Sequence, residues 1–137
     1  WTNSHLHQFT IGGADYSDLR FELDDAEDEF GVTLAEVAPR ERLRFEFRYD
    51  FGDGWEHEVA VEKILPAESS KRYPVCVAGE RACPPEDCGG IGGYGHLLEG
   101  LENPKTEDQK RLAEWAGDFA PEAFDLEKVN SRLKRIK

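Results

Sequence analysis

Hydrophobic and polar residues alternate most cleanly over Arg42 to Glu62. Leu43, Phe45, Phe47, Tyr49 and Phe51 alternate with Arg44, Glu46, Arg48 and Asp50. After Gly52-Asp53-Gly54, Trp55, His57, Val59 and Val61 alternate with Glu56, Glu58, Ala60 and Glu62. A period of two marks strands with one buried face, so the stretch predicts a long β-hairpin. A two-residue Asp-Gly turn would set Tyr49 against Glu58, apolar against charged. A three-residue loop with Gly54 in the left-handed region instead sets Phe51 opposite Trp55 and Phe47 opposite Val59. It also pairs Arg48 with Glu58 and Arg44 with Glu62, and leaves Asp50 against Glu56 with Asp53 at the tip. Like charges across a ladder are unfavourable, so this acidic hairpin end asks for a cation, a basic partner or water.

The same patterns place the other elements. His5 to Ile11 predicts a strand with His5, His7, Phe9 and Ile11 on one face, ended by Gly12-Gly13. Glu22 to Glu29, with six acidic residues in eight, reads as a solvated loop. Thr33 with Glu36 has capping-box form and predicts a short helix ending before Pro39. Residues 67–93 read as irregular. Tyr94, Leu97, Leu98 and Leu101 then fall on one helical face, up to Asn103-Pro104. Thr106 with Gln109 opens a further helix stopped by Gly117, and Pro121 suits the first turn of a short helical segment. Asp125 caps a last helix with the stripe Leu126, Val129, Leu133 and Ile136. Its basic end, Arg132, Lys134, Arg135 and Lys137, complements the helix dipole. The order predicts one α+β domain over residues 1–137, with a mainly antiparallel sheet, a long central hairpin, a Cys-rich loop and C-terminal helices.

Charge narrows the function classes. Seventeen basic against 29 acidic residues give a net charge of −12, which argues against non-specific binding to nucleic acid or anionic membrane. No apolar run approaches the roughly 18 residues of a membrane span. Three cysteines without a secretory signal favour a reducing cytoplasm. An acidic surface leaves room for a basic protein partner or for a homo-oligomer.

The chemistry-bearing residues fall in two groups. Cys76, Cys83 and Cys88 lie within thirteen residues, and the Cys83-x4-Cys88 spacing falls at the upper end for paired zinc ligands. Zinc takes four ligands, and the fourth must come from His5, His7, His57, His96 or Asp87. His57, on the inward hairpin face, is the first choice, against the plainer reading of a core histidine bonded to backbone. Buried reduced thiols and a disulfide are the alternatives for the cysteines. The second group is His5, His7, Asp50, Asp53, Glu56 and His57, which could converge at the strand ends as ligands of a metal-dependent hydrolase. Gly89-Gly90-Ile91-Gly92-Gly93 is no P-loop or dinucleotide fingerprint, and reads as glycine needed for a tight path into a helix.

Together these motifs resemble a known family. Ser-His-Leu-His-Gln-Phe at 4–9, Tyr-Asp-Phe-Gly-Asp-Gly-Trp-Glu-His at 49–57, Tyr-Pro-Val-Cys at 73–76, Cys-Pro-Pro-Glu-Asp-Cys-Gly-Gly at 83–90 and Asp-Phe-Ala-Pro-Glu-Ala-Phe-Asp at 118–125 are similar to the Ri-plasmid open-reading-frame-three-like domain family. The match is ordered and covers nearly the whole chain. The resemblance implies an additional strand and helix before the position of Trp1. It also implies association with plasmids and transposons, where members are sometimes labelled resolvase. Recombinase chemistry needs a nucleophile in an arginine-rich site, and this acidic sequence offers none. The reading is a small binding module with zinc at the Cys-rich loop. The metal-dependent hydrolase and the acidic adaptor are its alternatives.

Overall fold

The computed structural model describes residues 1–136. These residues form two compact units, residues 1–65 with 86–94 and residues 66–85 with 95–136.

The first unit carries a five-stranded sheet, β1 (His7–Ile11), β2 (Ala14–Ser17), β3 (Glu27–Asp28), β4 (Arg44–Tyr49) and β5 (Trp55–Ala60). Its order is β3-β2-β1-β4-β5. The pairings are antiparallel except β2 with β3, which is parallel over two residue pairs. The α+β class and the mainly antiparallel sheet follow the sequence pattern, while β2 and β3 go beyond it. Gly12 and Gly13 both take positive φ, 62° and 89°, and form a two-residue turn that folds β2 back on β1. The acidic loop carries β3 and is flanked by two short 3₁₀ turns, Leu19–Phe21 and Glu29–Gly31, capped by the side chains of Asp18 and Asp28. Arg20 donates to the Asp18 carboxylate from its side chain and from its N–H, and this holds the group at about 2.

Helix α1 (Leu34–Val37) forms where the capping box placed it. The Glu36 carboxylate accepts from both the N–H and the hydroxyl of Thr33, each at 2.8 Å. Ile11, Ala38 and Phe45 make a buried core, with Phe9, Tyr16 and Val61 packed against it. Burying each large side chain of such a core is worth roughly 1.5–3 kcal/mol.

The hairpin keeps the expected faces but not the expected register. Tyr49 lies opposite Trp55, Phe47 opposite His57, Phe45 opposite Val59 and Arg48 opposite Glu56. Asp50 causes the shift. It leaves the extended region at φ 54°, and its Oδ1 accepts from the N–H groups of Gly52 (3.0 Å) and Asp53 (3.3 Å). The strand therefore ends at Tyr49, and residues 50–54 form the connection. Gly54 does take the left-handed conformation, at φ 66°. Phe51 sits in this loop under the Arg48 guanidinium, 4.8 Å from the ring centre, not opposite Trp55. Arg44 pairs with Glu58 and not with Glu62.

Helix α2 (Gly90–Glu102) begins inside the glycine run, four residues earlier than the apolar spacing indicates. Helices α3 (Glu107–Ala116) and α4 (Leu126–Leu133) carry the caps read from the sequence, Thr106 with Gln109 and Asp125. Pro121 opens a turn and no helix. Ile136 lies beyond the end of α4, and Lys137 lies outside the described residues.

In the second unit the irregular chain is tied down by reciprocal bonds. Cys76 N–H donates to Asn130 Oδ1, and Asn130 Nδ2 donates to the Cys76 carbonyl, both at 2.9 Å. Ala82 N–H donates to the Pro121 carbonyl at 2.8 Å. Gly79 leaves no room for a side chain, since a Cβ there would lie 2.3 Å from the Phe124 ring.

Candidate functional site

Four acidic and imidazole side chains of the first unit gather around the end of the β4–β5 hairpin. Their meeting is built from backbone upward. Asp50 N–H donates to the Leu6 carbonyl at 2.8 Å, which ties the hairpin end to the segment entering β1. The positive φ of Asp50 breaks the strand alternation and turns its carboxylate away from the outer face. Oδ1 is spent on the loop N–H groups, and Oδ2 lies 3.7 Å from His5 Nδ1. The other imidazole nitrogen, Nε2, lies 3.2 Å from Asp87 Oδ1 and 3.6 Å from Glu86 Oε2. One atom each of His5, Asp50 and Asp87 falls within 4.8 Å of the others.

Asp50 is buried at 8% exposure, whereas the Asp87 side chain is 72% exposed. The cluster therefore has an inner wall and an open rim. Burial opposes ionisation of Glu86. Hydrogen bonds from the Thr2 N–H (2.5 Å), the Thr2 hydroxyl (3.0 Å) and the Tyr49 hydroxyl (3.1 Å) outweigh it and hold the carboxyl below its ordinary range. Tyr49 is itself fixed by stacking on Trp1, with ring centres 4.7 Å apart and planes inclined by 13°. Among the described residues, Asp50, Glu86 and Asp87 form no ion pair with lysine or arginine.

Asp50 approaches Nδ1 and Asp87 approaches Nε2, so a single cation would use one imidazole nitrogen and bridge the 4.8 Å spread to both carboxylates. Ligand bonds of about 2 Å place neighbouring donors roughly 3 Å apart. A set of one imidazole and several carboxylates favours manganese, magnesium or zinc over a thiophilic ion.

The remaining site residues read from the sequence are placed elsewhere. His7 is buried, and its Nε2 meets the Glu29 carboxylate at 2.9 and 3.1 Å. Phe9, Phe21 and Phe47 surround it. Asp53 Oδ2 accepts from Gly89 N–H at 3.1 Å, next to the first residue of α2. Glu56 is exposed on the opposite face of the sheet, across from Arg48. The six-residue convergence of His5, His7, Asp50, Asp53, Glu56 and His57 is thus reduced to His5 and Asp50.

His57 faces inward, as expected. Its Nδ1 lies 3.0 Å from the Phe47 carbonyl, and its ring meets those of Trp1 and Phe47. Cys88 and His57 belong to the first unit, and Cys76 and Cys83 to the second. Each cysteine is in the thiol form, Cys76 half-buried, Cys83 exposed and Cys88 buried. The Cys76 thiol donates to the Ala78 carbonyl at 3.3 Å. Glu86 was not singled out by sequence reasoning. Its signal was adjacency to Asp87 between Cys83 and Cys88, but no local pattern links that loop to Thr2, His5 or Tyr49.

Fold and site together define a small α+β module with a carboxylate-rich cluster at the end of its central hairpin. The family model described as plasmid pRiA4b ORF-3-like protein matches residues 1–128, and the chain belongs to that family. It is 35% identical, over 97% of its length and 70% of the relative's, to the uncharacterized protein y4hQ of Sinorhizobium fredii. It is also similar to the crystal structure of the protein of unknown function MM3350 from Methanosarcina mazei Go1. That match has a TM-score of 0.80 at 35% identity and covers 93% of this chain and 74% of that one. No helix among the described residues is long and apolar enough to cross a membrane.

Proposed function

We propose that this chain is a binding module for a divalent cation held by His5, Asp50 and Asp87, with Glu86 as a further oxygen donor. The observation that carries the reading is the approach of three ligand atoms, from three separate stretches of chain, to within 4.8 Å of one another. Three carboxylates around one imidazole repel each other unless a positive charge joins them. Tyr49 and Thr2 would orient Glu86, as outer hydrogen bonds commonly orient metal-binding carboxylates.

The test is metal content of untagged protein purified without chelator, followed by titration with Mn2+ and Zn2+. About one ion per chain is expected. The ion should be lost in His5→Ala and Asp50→Asn, and kept when Cys76, Cys83 and Cys88 are all changed to Ser. The reverse pattern would return the site to the cysteines and His57, with zinc as the ion. An unbound protein across both metals sinks both assignments.

A metal-dependent hydrolase is the second reading, favoured by the exposed rim at Asp87. Solvent access leaves a coordination position for water, which a divalent ion can activate. Turnover of an activated phosphate ester that depends on Mn2+ and disappears in Asp50→Asn would support it. Full metal loading without turnover leaves the module a binder only.

A further inference from the structure

We infer that Asp53 is a positioning residue for the cluster of His5, Asp50 and Asp87, and that cation binding there is coupled to the seating of the α2 start on the hairpin tip. This coupling rests on the cation reading proposed above. It adds a route by which occupancy of the site is felt at α2.

The chain around the cluster closes into a ring of contacts. Asp50 Oδ1 accepts from the Asp53 N–H at 3.3 Å. Asp53 Oδ2 in turn accepts from the Gly89 N–H at 3.1 Å. Gly89 stands two residues beyond Asp87, whose Oδ1 lies 3.2 Å from His5 Nε2. His5 Nδ1 lies 3.7 Å from Asp50 Oδ2, which completes the ring. His5, Asp50 and Asp87 form one side of this ring, and Asp53, which is not among the side chains that meet there, forms the opposite side. The separation of the two carboxylates is therefore set at one joint, the bond from Asp53 to Gly89.

The joint is close-fitting. A Cβ on Gly90 would lie 2.2 Å from the Asp53 carbonyl oxygen, so the backbone of the α2 start rests directly on that of the tip. Asp50 and Asp87 both hold left-handed conformations, at φ 54° and 56°. Residues other than glycine keep such conformations where the surrounding structure imposes them. The Asp87 side chain is 72% exposed and forms an ion pair with His5 alone among the described residues. Its position thus follows from its backbone, and that backbone is anchored at Gly89. Without the anchor an arriving ion must order the loop itself, which weakens binding. By linkage, an ion that draws Asp87 to His5 favours the seated form of Gly89 by the same factor.

The test is calorimetric titration of the full chain with Mn2+ and, separately, with Zn2+. Asp53→Ala should weaken binding of the ion that wild type takes up by about tenfold or more, the usual effect of losing an outer support of a metal site. Asp53→Asn keeps an acceptor for the Gly89 N–H and should recover most of that loss. Gly90→Ala alters no charge and forces the joint apart, so it should weaken binding as well. Asn130→Ala perturbs the second unit only and should bind as wild type does. In wild type the ion should slow hydrogen exchange at the Gly89 amide. Equal losses in Asp53→Ala and Asp53→Asn would reduce the effect to charge and overturn the proposal. So would unchanged affinity in Asp53→Ala or in folded Gly90→Ala, an equal loss in Asn130→Ala, or Gly89 exchange indifferent to the ion. Each of these leaves the cation reading standing. Wild type that binds neither ion overturns that reading and the coupling with it. The comparison of Asp53→Ala with Asp53→Asn decides even where Gly90→Ala does not fold.

Discussion

Replacing Gly90 with alanine tests how the hairpin is joined to the start of α2. Gly90 has φ 64°, and a Cβ built there would lie 2.2 Å from the Asp53 carbonyl oxygen and 3.1 Å from its carbon. Both obstacles are backbone atoms, so no side chain can swing aside. Holding alanine in the left-handed region costs about 1–2 kcal/mol. Relieving the overlap by shifting the chain costs about 1–3 kcal/mol more. Gly90→Ala should therefore destabilise by about 2–5 kcal/mol. Gly92 is the internal control. It lies two residues on, has no atom within 4 Å of its would-be Cβ, and sits in α2. Gly92→Ala should stabilise by about 0.5–1 kcal/mol, the ordinary gain of alanine over glycine in a helix. The assay is urea unfolding followed by tryptophan fluorescence in a Trp115→Phe background, so that Trp1 and Trp55 of the first unit report. Equal stabilities for the two variants, or a gain in Gly90→Ala, would refute the close approach of Asp53 to the glycine run.

Three further outcomes follow from single contacts. Asp53→Ala removes the carboxylate beside the start of α2 and should cost about 1 kcal/mol by the same unfolding assay. Asn130→Ala removes both bonds to Cys76 and should cost about 1–3 kcal/mol, with faster hydrogen exchange at the Cys76 amide. The folded carboxyl of Glu86 is lowered, so its stabilisation is present above the unfolded value of about 4.3 and is lost as pH falls through the folded value. Tyr49→Phe removes one of the bonds responsible, so its deficit against wild type should be full at neutral pH and shrink in acid. A deficit unchanged down to about pH 3 would refute that role.

The sequence made the elements legible wherever one strong local signal acted alone. The capping boxes at Thr33 and Thr106 and the Asp125 cap each mark a helix start that the structure contains. Parity within each strand placed His7 with Phe9 and Phe47 with Tyr49 on one face, because a period of two survives any error in pairing, but β1 starts at His7 and His5 lies ahead of the strand expected to contain it. Register did not survive, since one residue, Asp50, could either extend the strand or fold back onto its own loop. Its carboxylate takes two N–H groups, and that local gain ends β4 two residues before the alternation does. Strand β2 was announced by Gly12-Gly13, a hairpin signal, but Ala14–Ser17 is too short and too polar to show periodicity. The cluster of His5, Asp50 and Asp87 was half visible. His5 and Asp50 were drawn together by the strand ends, whereas Asp87 and Glu86 arrive from a loop more than thirty residues further on.

The acidic hairpin end then has a physical account. Its carboxylates are not one solvated patch, because each has a different neighbour. Asp50 is shared between the loop N–H groups and His5, Asp53 bonds the Gly89 N–H at the start of α2, and Glu56 is exposed on the opposite face of the sheet, across from Arg48. Only the first is drawn into a cluster with other acids and away from any lysine or arginine partner. That is why the proposed ion belongs at His5, Asp50 and Asp87 and not at the tip. The loop N–H groups of Gly52 and Asp53 offset part of the solvation lost on burying the Asp50 carboxylate, and a divalent cation at His5 would offset more of it.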